Sequence, residues 1–145
     1  MENTILKRAQ ELSHWIVAHR RDFHLHPELS YQEVRTTAII KEQLEEMGIE
    51  VVSVGETGAM GIIQGRNSGK TVALRGDIDA LPISEESDVD FVSANPGIMH
   101  ACGHDIHTGA LLLAARILKE REEELKGTVK LMFQPCEEGV GGASD

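Results

Sequence analysis

Aromatic residues are nearly missing from this chain: one Trp, one Tyr and three Phe, 3% of 145 residues. Any core it builds must therefore be aliphatic, made of Leu, Ile, Val, Ala and Met. Cysteine is scarcer still, with only Cys102 and Cys136, and two thiols make no disulfide framework for a domain of this size. No apolar run approaches the length of a membrane span, and Met1-Glu2-Asn3-Thr4 lacks the charged-then-apolar layout of a signal peptide. These absences lead to the expectation of a protein in a reducing cytoplasm. Positive charge is also short. Against 24 Asp and Glu stand 14 Lys and Arg, a net charge of −10, which repels phosphate backbones and anionic lipid. Neither nucleic acid nor membrane is an expected partner.

What is present suits one soluble domain over residues 1–145, since 41% apolar and 26% charged residues provide both a core and a solvated surface. Ile5, Leu6, Ala9, Leu12, Ile16 and Val17 recur at helical spacing and predict a helix from about Ile5 to Arg21. It closes before His26-Pro27, because the residue preceding proline is pushed out of the helical region. Ser30 and Glu33 match a capping box for a second helix, with Val34, Ala38, Ile39, Leu44 and Met47 on one side and Gly48 as its left-handed stop. Short strands are expected at Ile49–Val54, Met60–Gln64, Thr71–Leu74 and Thr128–Phe133, with a turn at Arg66-Asn67-Ser68-Gly69. A long loop spans Pro82 to Pro96, and a third helix carries Ile106, Ala110, Leu113, Ala114, Ile117 and Leu118. Strand, helix, strand in that order predicts an α/β fold with a mixed, largely parallel sheet flanked by helices.

The chemistry-bearing residues gather where strands end, the edge at which α/β sheets collect ligands. Between His100 and Thr108 lie a thiol, three imidazoles and a carboxylate: Cys102, His100, His104, His107 and Asp105. Cys102 and His104 stand two apart across a glycine near a helix start, where both can face one ion, and thiolate with imidazole suits zinc and other borderline metals. Asp105 and His107 are better placed to orient those ligands than to join them, and His100 is left open. Glu137-Glu138 follows an apolar strand and precedes glycines, whereas Glu122-Glu123-Glu124 has the setting of a solvated charged helix. Adjacent carboxylates can divide labour, one on a metal and the other as general base. Asp77-x-Asp79 fits either a second cation or an ordinary aspartate turn. His24-x-His26 reads as a structural junction, Trp15 and Met47 as core, Cys136 as a small buried side chain. A nucleophilic Cys102 activated by nearby imidazoles is the competing chemistry, but it leaves the acidic pair idle.

Four segments, Arg20–Leu29, Leu74–Pro82, Met99–Thr108 and Gln134–Gly139, resemble in order and spacing the aminoacylase and carboxypeptidase family of metal-dependent amidohydrolases. The branch they resemble contains hippurate hydrolases, N-acyl-amino-acid hydrolases and plant auxin-conjugate hydrolases. The resemblance runs over essentially the whole chain. It implies a zinc-exopeptidase-like catalytic domain and a two-metal hydrolase that cuts the amide of small N-acyl amino acids or peptides. By the resemblance, Cys102 is the bridging ligand, His104 a terminal ligand, Glu138 a further ligand and Glu137 the catalytic base. Asp79 supports the metal centre and is counted with the catalytic residues, although this branch has Asp77-x-Asp79 where relatives have His-x-Asp. The expected cofactor is a pair of divalent ions, zinc first for a thiolate-bearing site, with manganese or cobalt as alternatives. Members of the family run to roughly two and a half times this length, against the usual size of domains, with two further metal-binding histidines and a lid domain that also forms dimers. The chain is therefore expected to be the N-terminal part of a catalytic domain, ending before the lid, from an enzyme that is a homo-oligomer when complete. A non-catalytic module that binds metal or a partner subunit is the alternative.

Overall fold

The computed structural model describes residues 4–140, 142 and 143. Two helices stand where the periodicity predicts one. α1 (Thr4–Glu11) and α2 (Ser13–Leu25) part at Leu12, whose φ of −87° and ψ of 1° leave the helical region. Leu12 is buried at that corner, so the break follows burial, a tertiary effect that periodicity does not carry. α1 is held at its far side by Arg8, whose Nε and Nη2 each donate to Glu120 at 2.8 Å. α2 ends at Leu25, before Pro27, as expected.

α3 (Val34–Glu46) buries Thr36, Thr37, Ile40 and Leu44 and stops at Gly48, where φ is 71°. Its expected capping box does not form, since no side chain at its N-cap makes a cap bond. The free amides of the first turn go to Glu28 instead, which accepts from Arg35 N at 3.0 Å and Thr36 N at 2.7 Å. Ser30 and Glu33 are thereby released for partners elsewhere.

β1 (Glu50–Val54) and β2 (Gly58–Gln64) form an antiparallel hairpin. β3 (Asn67–Asp77) is followed by α4 (His104–Glu120), a 3-10 turn at Glu122–Glu124, and β4 (Lys126–Gln134). β4 inserts between β2 and β3, giving the order β1-β2-β4-β3. The sheet is mixed, as expected, but parallel pairing is confined to β3–β4 across the α4 crossover, and β2–β4 is antiparallel like the hairpin. The expected turn at 66–69 is also corrected: β3 begins at Asn67, and a register shift between Asn67 and Thr71 absorbs the polar residues.

The pairing aligns Gly61, Leu131 and Leu74 in one row and Ala59, Phe133 and Gly76 in the next. α3 and α4 cover this face, and α2 packs on α4. Gly61 permits the close approach, because a Cβ there would come within 3.3 Å of Leu44. The core is aliphatic apart from Phe23 and Phe133, with Ile40, Leu44, Ile63, Leu112 and Leu131 fully buried; Trp15 and Met47 pack against it half-buried. On the other face Val52 and Met132 are exposed. Among the described residues no helix is long and apolar enough to cross a membrane.

Residues 82–98 contain no helix or strand, as predicted for the loop. Glu85 ties them down: its carboxylate lies 2.8 Å from His24 Nε2 and accepts from Ser93 N at 2.5 Å. Burial would push the Glu85 carboxyl up, but its bonds to His24, Ser87 and Ser93 outweigh that and bring it to about 2. A depressed carboxyl stabilises the fold above its ordinary range and ceases to do so as the pH falls from 4.5 towards 2. At neutral pH, Glu85→Ala is expected to speed proteolytic cleavage within 82–98 by roughly ten-fold or more, the worth of a lost hydrogen bond to a charged group. At pH 3 the difference from the parent should shrink. Equal cleavage rates at neutral pH would show that Glu85 anchors nothing.

Candidate functional site

The parallel β3–β4 pair sets Asp77 opposite Gln134 at the carboxyl ends of both strands. α4 runs back along the sheet, so its first residue, His104, lies at that same edge. Gly103 caps it in the left-handed region, with φ of 81°, and turns Cys102 and His104 towards one place. Donor atoms of Cys102, His104 and Glu138 all lie within 4.8 Å of one another. Nε2 of His104 is 3.6 Å from Glu137, 3.8 Å from Glu138 and 3.5 Å from Asp77.

Asp79 organises the cluster from below. It is 1% exposed. Its backbone oxygen and Oδ1 accept from His104 Nδ1 at 2.8 and 3.1 Å. Its Oδ2 accepts from Ser30 Oγ at 2.7 Å and from the Glu138 amide at 2.9 Å. Both Nδ1 partners are acceptors, so Nδ1 carries the proton and Nε2 is the nitrogen aimed at the carboxylates. The five residues to which the resemblance assigns roles, Cys102, His104, Glu137, Glu138 and Asp79, are thus brought together.

The electrostatics separate their roles. Burial pushes the Asp79 carboxyl up, but bonds from His104, the Glu138 amide and Ser30 outweigh it and bring it to about 2, so it remains an acceptor. Burial lowers the His104 pKa, and Asp79 and Asp77 more than reverse this, leaving it raised. The hydrogen bond from Cys102 to Glu138, then burial, then the charges of Glu138, Glu137 and Asp77 push the thiol up to about 11. A nucleophilic cysteine needs the opposite shift, so that competing use of Cys102 has no support here. Among the described residues, Arg75 is a cation beside these acids, 3.8 Å from Glu137 and 3.5 Å from Asp77.

This donor set fits a divalent cation. A thiol, an imidazole nitrogen and a carboxylate lie within chelating reach of one another, and Asp77 and Glu137 add negative charge beside them that a cation would offset. Asp77, His104 and His107 make a second close group, but His107 Nδ1 is 2.5 Å from Asp77 Oδ1. That is a direct hydrogen bond, so His107 braces Asp77. Asp105 turns away to His24 and Arg20, at 2.8 Å from each, and His24 spans Asp105 and Glu85 as a structural junction. His100 is buried, with neither ring nitrogen partnered among the described residues, and burial lowers its pKa to about 4. Glu122, Glu123 and Glu124 pair with Lys119, Arg66 and Arg121 away from the site. Sequence reasoning missed Arg75, Ser30 and Glu33. The last two carry a cap signature that Glu28 makes redundant, and only that redundancy could have betrayed them.

The model of peptidase family M20/M25/M40 matches residues 73–145. N-acetylcysteine deacetylase of Bacillus subtilis (strain 168) is 52% identical over 126 residues, 86% of this chain and 33% of that protein. Thermostable carboxypeptidase 2 of Saccharolobus solfataricus is 49% identical over 138 residues, 92% of this chain and 35% of that protein. Among solved structures, the YXEP protein of Bacillus subtilis, described as a dinuclear metal binding peptidase, superimposes with a TM-score of 0.89 at 47% identity. That match covers 93% of this chain and 38% of the other. The chain spans about a third of the length of the curated relatives it matches.

The central place of Asp79 has a measurable consequence. In urea denaturation, Asp79→Ala is expected to cost roughly 3 kcal/mol or more, because it strands buried donors, and Ser30→Ala roughly 1 kcal/mol. Equal costs for the two would remove Asp79 from that place.

Proposed function

This chain belongs to the M20/M25/M40 peptidase family, and on that footing we propose that it carries cation ligands and the general base of a hydrolase for the amide bond of N-acyl amino acids or small peptides. The observation that supports this most is the approach of the Cys102 thiol to within 4.8 Å of Glu138 and His104 at one sheet edge. The substrate class is supported by the names of the relatives, a deacetylase of N-acetylcysteine and a carboxypeptidase.

Cys102, His104 and Glu138 would hold the cation, in keeping with the dinuclear metal binding named for the solved relative. A thiolate favours zinc, and the surrounding carboxylates admit manganese or cobalt. When bound, such an ion supplies Lewis acidity for activating water and polarising a carbonyl. Glu137 does the proton work. Its carboxylate is 36% exposed, with Oε2 3.6 Å from the ligand nitrogen of His104, so it reaches both the site and the solvent. It takes the proton of the attacking water on Oε2 and delivers it to the leaving nitrogen as the C–N bond breaks. Asp79 is too buried to touch substrate; it fixes the ring of His104 so that Nε2 faces the cation. Arg75 offsets the crowding of Glu137 and Asp77.

Two variants test these assignments separately. Glu137→Gln is expected to bind Co²⁺ nearly as the parent does, while hydrolysis of N-acyl amino acids by the enzyme carrying it falls by about a hundred- to ten-thousand-fold. Cys102→Ala is expected to lower Co²⁺ occupancy and abolish the sulfur-to-cobalt charge-transfer band. Undiminished turnover in the first would end the base assignment, and full occupancy in the second would strike Cys102 from the ligands.

A further inference from the structure

We propose that Glu33 is a positioning residue for the acidic pair: its carboxylate holds the amide of Cys136 and so sets the direction in which Glu137 and Glu138 leave β4. The inference rests on the reading of that pair as base and ligand. Glu33 is 0% exposed, a state that acidic side chains reach only when their oxygens are satisfied. Oε1 accepts from the Cys136 amide at 2.8 Å, and Oε2 accepts from Thr57 Oγ1 at 2.7 Å. Thr57 is itself buried, and its carbonyl takes the hydroxyl of Thr37 on α3. The carboxylate is therefore clamped by α3 and the β1–β2 turn while it reaches across to the end of β4. Its place at the start of α3 does not account for this, because Glu28 does the capping.

The segment it holds needs holding. Cys136 has φ of 51°, in the left-handed region that side chains with a Cβ avoid. That turn swings the chain so that two residues later the Glu138 amide meets Asp79 Oδ2, while Glu137 faces His104. Glu33 and Asp79 thus take alternate amides of one short stretch, at 136 and 138, and Ser30, from the same loop as Glu33, donates to Asp79. The stretch has no slack on its inner side: a Cβ at Gly139 would collide with the Cys136 sulfur. An apolar side chain could fill the space of Glu33, but only an acceptor can fix the orientation of the amide.

Cys136 reports on its own segment, because its thiol is buried, 2% exposed, while Cys102 is exposed. In a Cys102→Ser background Cys136 is the only thiol, and its rate of reaction with a disulfide reagent such as dithiobisnitrobenzoate reads the opening of residues 136–138 without any metal. Glu33→Ala should raise that rate roughly ten-fold or more, the loss of one charge-assisted hydrogen bond. Thr57→Val, which deletes only the other partner, should raise it far less. Glu33→Gln keeps an oxygen for the Cys136 amide and should restore the slow rate. If Glu33→Ala does not fold, Glu33→Met, which fills the space without an acceptor, takes its place. With Cys102 present, Glu33→Ala should weaken Co²⁺ binding by a similar factor and Thr57→Val should not. An unchanged thiol rate in Glu33→Ala, or equal acceleration in Thr57→Val, overturns the proposal. So does parent-like Co²⁺ affinity in Glu33→Ala. If the parent chain binds no Co²⁺, the reading of the site as a cation centre fails, and the thiol rates still decide the role of Glu33.

Discussion

One buried carboxylate takes hydrogen bonds from a helix, a loop and a strand exit at once. Asp79 receives the Nδ1 proton of His104 at the start of α4, the hydroxyl of Ser30 and the amide of Glu138. Each of these groups belongs to a different part of the chain, and each would be costly to bury unpaired. Satisfying all three forces the ring of His104 to present Nε2 outward and brings the acidic pair into line with it. The geometry of the site follows from this hub more directly than from the individual donor residues. An imidazole or a glutamate is common on any surface; the shared acceptor beneath them is what converts proximity into direction.

The charges above the hub oppose one another. Asp77, Glu137 and Glu138 crowd the space around His104, and Arg75 offsets only part of their repulsion. The thiol responds by holding its proton, pushed up to about 11, and the imidazole of His104 responds in the same direction. Both shifts express one demand, for positive charge at the centre. A divalent ion would meet it, because one ion neutralises several donors at a fixed point. The overall charge of −10 says little about this; the local arrangement decides it.

Much of this site could be read before any coordinates, and the reason is topological. Strand ends in an α/β sheet share an edge, so Asp77, Asp79, Glu137 and Glu138 had to be neighbours once β3 and β4 were recognised as strands joined by α4. Cys102-Gly103-His104 was legible only in company: alone the pair reads as a structural cysteine beside a capping histidine, and Asp105, His107 and the acidic pair turn it into a site. What stayed hidden depended on choices among equally plausible partners. Ser30 and Glu33 have the spacing of a capping box, and nothing in the local sequence says that Glu28 will do the capping. Arg66-Asn67-Ser68-Gly69 has the composition of a turn, yet pairing with β4 draws Asn67 into β3. Leu12 has the right period for a continuous helix, and only its burial at a corner breaks the helix there. The extent of parallel pairing was overread for the same reason: the β3–α4–β4 crossover is visible in the pattern, whereas the neighbour on the other side of β4 is not.

The placement of β4 between β2 and β3 also orders events as the chain folds. β1 and β2 can pair locally through their short connection, but among the described strands β3 pairs only with β4. Among the described strands β4 is therefore the keystone of the sheet. Because Glu137 and Glu138 follow it directly, closure of the sheet and assembly of the donor cluster are a single step. The β3–β4 pairing joins segments distant in sequence, the kind of contact that is slow to find, and the place for an ion waits on it.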